Sequence, residues 1–158
     1  FLSHQQIYDF NESKFNHLKR RPTRVCGMVK NEGAPGGGPF WVKNQNNITK
    51  QIVEDIQISN INKQQEIFRN SSHFNPVFMV VCKTDIEGNR LNLIDFRDDS
   101  KYFVVEKTNK DINIKYRELP GLWNGSMSDW NTIFVEIPSQ VFSPVKTVLG
   151  LNNIAHKV

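Results

Sequence analysis

KYRELPGLWNGSMSDWNTIFVEIP, residues 115–138, runs from an extended segment through a turn-rich loop into a strongly apolar strand. Ile112–Arg117 and Thr132–Ile137 read as the two strands. The loop between them carries two Trp-Asn pairs, Trp123-Asn124 and Trp130-Asn131, with Gly121 and Gly125 in its tighter part. Flat aromatic walls, amide donors and acceptors, and backbone free of side chains are the parts of a small polar pocket. A sugar suits such a pocket: its apolar ring face stacks on an aromatic, and its hydroxyls take bidentate partners such as Asn or Glu. The structural alternative is a buried Trp cluster that pins the loop to a sheet.

Working outward, the rest of the chain predicts more strands than helices. Ser3 is a helix N-cap for a segment running to about Lys19, with Ile7, Phe15 and Leu18 near helical spacing and Pro22 as the stop. Thr23–Lys30 reads as a strand with Gly27 where a side chain would be in the way. NEGAPGGGP, residues 31–39, is a loop, and Phe40–Val42 restores the apolar pattern. Ile48–Ile58 fits helix and strand alike. Gln64–Arg69 predicts a short helix. Val77–Lys83 is a nearly continuous apolar run, the pattern of a central strand. Glu87-Gly88-Asn89 predicts a hairpin turn into a strand over Leu91–Phe96, and Lys101–Lys107 a further strand. Ser143-Pro144 signals a last helix to about His156. The expected fold is a mixed α/β single domain over residues 1–158, a sheet of hairpin-connected strands flanked by a few helices.

Composition narrows the function classes. The 158 residues are 38% apolar, enough for one core, and no apolar run reaches the roughly 18 residues of a membrane span. The net charge is +4 and the pI about 9.1. Lys14, Lys19, Arg20, Arg21, Arg24 and Lys30 fall in a run without an acid. It lacks the interleaved aromatics that stack bases, so nucleic acid is not an expected partner. Lys14, Lys19 and Arg20 read as a solvated helix end, whereas Arg24 and Lys30 lie on or beside a strand leading into the glycine loop. Cys26 and Cys82 sit in apolar runs without CxxC spacing and read as two reduced, buried thiols of a cytoplasmic protein. The four histidines lack ligand spacing, so zinc is not expected. The start, FLSHQQIYDF, has neither the pattern of a secretory leader nor an initiating Met, and the expectation is a part of a longer protein.

Two further loops carry candidate chemistry. Gly36, Gly37 and Gly38 present consecutive backbone N–H groups that could cradle an anion and run straight into Phe40-Trp41; neither a P-loop nor a dinucleotide fingerprint is present. Glu106 and Lys107 end a strand. Neighbours on a strand point to opposite faces, so both reach one pocket only if the strand breaks at Glu106. A carboxylate would then accept from hydroxyls and an ammonium hold a phosphate; the alternative is an ordinary exposed charged pair. No nucleophile-His-acid constellation is evident.

RPTRVCGMVKNEG (21–33), GGGPFWV (36–42), HFNPV (73–77) and ELPGLWNGSMSDWNTIFVEIP with FSPVKTV (118–148) together resemble an uncharacterised bacterial family known as a domain of unknown function. Members are longer, and the resemblance implies an upstream half with a phosphate loop like that of sugar nucleotidyltransferases, absent here. The chain departs from the family pattern at Ala34, where an acid is expected. A looser resemblance is to mannose-1-phosphate guanylyltransferases and related sugar-nucleotide pyrophosphorylases. In those, a glycine-bearing strand, a Glu-Lys pair and a Trp-Asn-Ser-Gly segment follow in order around the sugar phosphate. Here the order is Gly27, Glu106-Lys107, then Trp123-Asn124-Gly125-Ser126, with a longer first gap and with Gly and Ser inverted. The resemblance implies the C-terminal half of a nucleotidyltransferase-like fold that supplies the sugar-phosphate side of the site, with magnesium as cofactor and no turnover without the upstream half. Lys107 would hold the phosphate, Glu106 and Asn124 the hydroxyls, and Trp123 form a wall. Arg24, Gly27, Lys30, the three glycines, Trp41 and Gly125 would line the rest. Partners are then a sugar phosphate or nucleotide-sugar and the upstream half. The alternative function is a non-catalytic ligand-binding or interaction module.

Overall fold

A computed structural model describes residues 12–33, 36–44, 47–109, 112–118, 125–142, 145, 147–152 and 154–156. The fold is mixed α/β, with several small sheets and few helices. Helix α1 (Glu12–Lys19) leads through Pro22 into β1 (Thr23–Lys30), the middle of a three-stranded sheet. On one side β1 pairs antiparallel with β4 (His73–Cys82), and on the other parallel with β7 (Asn131–Glu136). Strands β2 (Gly38–Asn44) and β3 (Asn47–Val53) form one hairpin, and β5 (Phe103–Asn109) and β6 (Ile112–Glu118) another. Helix α2 (Asn62–Arg69) follows a 3-10 turn at Asp55–Gln57, and its Phe68 stacks on Phe40 of β2 with ring centroids 5.6 Å apart.

The strand period decides what the central sheet buries. Cys26 and Met28, two apart on β1, face the β2–β3 hairpin and pack with Ile52, with Met79 of β4 and Phe134 of β7 beside them. The opposite face is partly open: Ile137 packs over Gly27, but Phe78, Val80 and Val135 lie exposed, Val80 at 67%. The continuous apolar run over Val77–Lys83 therefore belongs to an outer strand of this sheet, not to a central one. The reading failed because an uncovered apolar face looks, in sequence, the same as a covered one.

Other expectations are corrected in the same way. The turn at Glu87-Gly88-Asn89 forms: Gly88 takes φ +88°, and the Asp85 carboxylate accepts from the N–H groups of Glu87 and Asn89 at 2.9 and 2.8 Å. Beyond the single Thr84–Arg90 bridge, however, the chain enters a 3-10 turn at Leu93–Phe96 in place of the expected strand. Asn92 donates to Asp95 at 2.9 Å, local side-chain bonding that competes with a ladder. The ambiguous Ile48–Ile58 resolves into the end of β3 and a 3-10 turn. The last helix is replaced, among the described residues, by 3-10 turns at Val148–Asn152 and Ile154–His156. Gly150, Asn152 and Asn153 are poor helix formers. Ser143 and Pro144, like Ser3 and Ile7, lie outside the described residues. No helix among the described residues is long and apolar enough to cross a membrane.

Both cysteines are free, but only Cys26 is buried; Cys82 is exposed, against the expectation of two buried thiols. Burial pushes the Cys26 thiol up, while the Thr84 hydroxyl hydrogen-bonded to Cys82 lowers the other. Under native conditions a maleimide should therefore label one thiol per chain quickly and the second only in denaturant. Equal labelling of both without denaturant would contradict the packing of β1.

Candidate functional site

The end of the sheet where β1 begins holds a cavity of about 510 Å³. One wall is α1, which brings Phe15, Leu18 and Lys19 to one side by their i, i+3, i+4 spacing. The floor is the start of β1 and of β7, and the facing wall is Thr49, Lys50 and Gln51 of β3. The loop before β7 closes it with Ser128 and Trp130.

Both residues of the second Trp-Asn pair are structural. Trp130 is 5% exposed and its indole donates to the Phe96 carbonyl at 3.1 Å. Asn131 donates its amide at 2.8 Å to the Leu18 carbonyl, which also accepts from the Arg21 N–H at 3.2 Å, tying β7 to the end of α1. The Asp85–Asn89 turn docks on the same end, with the Ile86 N–H donating to the Lys19 carbonyl at 3.1 Å. Three segments far apart in sequence thus meet where α1 ends, and the cavity lies among them.

The charge of the wall is one-sided. Lys19, Arg21 and Lys50 line it, and among the described residues no acid does. Lys19 pairs with Glu87 at 2.7 Å, and Arg21 more loosely with Asp129 at 3.4 Å. Burial lowers the pKa of Arg21 and Asp129 offsets part of that, leaving it a cation. Among the described residues Lys50 has no carboxylate in ion-pair range; its ammonium lies over the rings of Phe134 and Trp41, 5.4 and 5.9 Å from their centroids. Gln51 donates to the Ser128 carbonyl and to the Thr49 hydroxyl, each at 3.0 Å, while its own carbonyl oxygen and Arg21 Nε are buried without a hydrogen-bond partner. The wall therefore offers cations for an anion, an acceptor for a hydroxyl and the edge of an aromatic.

Arg24 stands one contact behind the floor. It is fully buried, its Nε donating to Thr132 Oγ1 at 2.8 Å and its Nη1 lying 2.9 Å from the Met127 sulfur. Nη2 has no partner, no carboxylate pairs with the group among the described residues, and burial lowers its pKa. Trp41 borders the cavity only through Lys50, its cross-strand partner. Gly125 opens the 3-10 turn Gly125–Met127 that delivers Met127 and Ser128. Trp123 and Asn124, like Gly121, lie outside the described residues.

The remaining sequence candidates gather elsewhere. Lys30 is at the opposite end of β1, about 20 Å from Thr23 at strand rise, where it faces Glu136 at 3.6 Å. The glycine loop sits at that end too. The Asn75 N–H donates to the Gly37 carbonyl at 2.7 Å, and a Cβ on Gly38 would lie 2.6 Å from the His73 carbonyl oxygen. The Gly37 N–H donates to the carboxylate of Glu54, so the anion this loop cradles belongs to the chain itself. Burial raises the Glu54 pKa, and the Gly37 bond offsets part of the rise. Gly27 makes room for Ile137, whose Cδ1 would be 2.9 Å from an added Cβ. Strand β5 runs unbroken through Glu106 and Lys107, so they point to opposite faces. Glu106 pairs with Lys115 at 2.7 Å, and Lys107 lies 5.7 Å from the Tyr116 ring, both on an exposed hairpin. Lys19, expected on a solvated helix end, is instead part of the cavity wall, with its side chain only 22% exposed. No local signal distinguished Lys19 and Lys50 from other lysines; their role depends on contacts across the fold.

Among the described residues no group of three or more His, Cys, Asp or Glu is placed to hold a metal ion. Among the described residues the cavity wall carries no carboxylate that could hold the magnesium the resemblance implies. The family model for a domain of unknown function (DUF4301) matches residues 3–157. No curated protein matches the chain, and no solved structure does.

Proposed function

This chain belongs to the DUF4301 family, and we propose that it binds a phosphorylated sugar in the cavity beside α1. The observation that carries the reading is a wall with three cations and, among the described residues, no acid, beside a buried, unpartnered Gln51 oxygen and an aromatic ring. The phosphate would lie against Lys50, with Arg21 and Lys19 adding positive charge. Gln51 and the Thr49 and Ser128 hydroxyls would face the sugar hydroxyls. In the reaction implied by the nucleotidyltransferase resemblance, a phosphate oxygen of the sugar phosphate attacks the α-phosphorus of a nucleoside triphosphate and pyrophosphate leaves. This chain would supply the sugar-phosphate side, and the nucleotide loop would come from an upstream half. Lys50→Ala should weaken binding of a hexose 1-phosphate by about 1.5–3 kcal/mol, a loss of tenfold or more. Lys63→Ala, on the exposed face of α2, should change it little. Calorimetric titration of both variants at matched salt checks this, and equal losses would mean that only overall charge is read.

A non-catalytic interaction module remains the second reading, favoured by the open apolar face at Phe78, Val80 and Val135.

A further inference from the structure

A second hollow, of about 450 Å³, adjoins the cavity. Arg21 lines both. The second hollow adds Arg20, Arg97 and His17, with Phe96 as its flat apolar side. Its two acids are engaged: Asp95 accepts from Asn92 at 2.9 Å, and Asp129 faces Arg21. Arg97 is held by Asp99 through bonds of 2.6 and 3.2 Å. Arg20 is exposed and has no carboxylate in ion-pair range among the described residues. Lys50 in one hollow and Arg20 in the other, neither with a carboxylate partner among the described residues, thus lie on either side of the half-buried Arg21, whose Nε has no hydrogen-bond partner.

Lys50 and Arg20 line different hollows that share Arg21, so a ligand with two phosphates joined through a bridging oxygen would offer each of the two cations a phosphate of its own, with the bridge beside Arg21. We propose that the two hollows form one bipartite site for a ligand carrying a linked diphosphate, with Arg21 at the junction. A planar guanidinium with several donors suits that junction better than a point charge. The inference rests on the phosphate reading of the first cavity and narrows its ligand class to esters of pyrophosphate.

Orthophosphate and pyrophosphate, titrated calorimetrically at matched ionic strength against the chain and its Lys50→Gln, Arg20→Gln and Lys63→Gln variants, separate the two claims. Pyrophosphate should bind the unaltered chain about tenfold more tightly than orthophosphate. Arg20→Gln should weaken pyrophosphate by about five- to tenfold and leave orthophosphate within about twofold, and Lys50→Gln should weaken both. If Arg20→Gln matches the Lys63→Gln control for pyrophosphate while Lys50→Gln still weakens orthophosphate, the bipartite site is wrong and the phosphate cavity stands. Should orthophosphate not bind, or Lys50→Gln behave as the control for both ligands, the phosphate reading fails and this inference with it.

Discussion

Ile52→Ala should lower the unfolding free energy by about 2–5 kcal/mol. Ile52 is 2% exposed and is the β3 side chain that joins the β2–β3 hairpin to Cys26 and Met28 of the central strand. The buried core cluster that Ile52 joins holds just Cys26 and Met28 besides it among the described residues, so little neighbouring core can absorb the loss. Truncation removes the transfer free energy of three carbons and leaves a void that a two-layer β contact closes poorly. Ile48→Ala on the same strand is the comparison: at 46% exposure it should cost less than about 1 kcal/mol. Urea unfolding should show a shifted midpoint and an unchanged slope for Ile52→Ala. Equal costs at the two positions would mean that the hairpin is not seated on the sheet as described.

Arg24→Met should act in the opposite direction, raising stability by about 1–4 kcal/mol while weakening phosphate binding. A guanidinium removed from water loses hydration that only good partners restore. Here it has one hydroxyl, one thioether, a weak acceptor, and an unpartnered Nη2. Methionine fills much of the same volume without the charge, and Thr132 keeps its donation to the Trp130 carbonyl at 3.2 Å. A cation held at such a cost beneath the cavity floor adds to the positive potential that a phosphate would meet. Thermal unfolding and hexose 1-phosphate titration of the same variant test the pair of effects. Destabilisation beyond about 2 kcal/mol would show that the guanidinium is better satisfied than its neighbours indicate, and unchanged affinity would separate it from the site.

Where a residue's role depended on its neighbours in sequence, it could be read directly. Thr23–Lys30 is β1 to the residue, because its short apolar run, Val25–Val29, is bounded by Pro22 and the glycine loop. The Gly88 turn, the β5 and β6 strands and the short α2 helix follow from period and turn chemistry in the same way. The second Trp-Asn pair could be noticed but not interpreted: its partners, Phe96 and Leu18, are 34 and 113 residues away. The glycine triplet could be read as a cradle for an anion, yet nothing in the local sequence pointed to the Glu54 carboxylate beside Gly37.

By itself, then, the sequence determined β1, β5, β6, α2 and the Gly88 turn, since hydrophobic period, proline and glycine act over a few residues, but not the segment after that turn, where local side-chain bonds replace the expected strand. Tertiary structure decided which faces are covered and which lysines line the cavity. Lys107 carries an arresting local context and ends on an exposed hairpin; Lys19 and Lys50 carry none and meet across a cavity. Burial and electrostatic environment are properties of surroundings, and the Arg24–Thr132 bond, closing over 108 residues, shows how far from local those surroundings are.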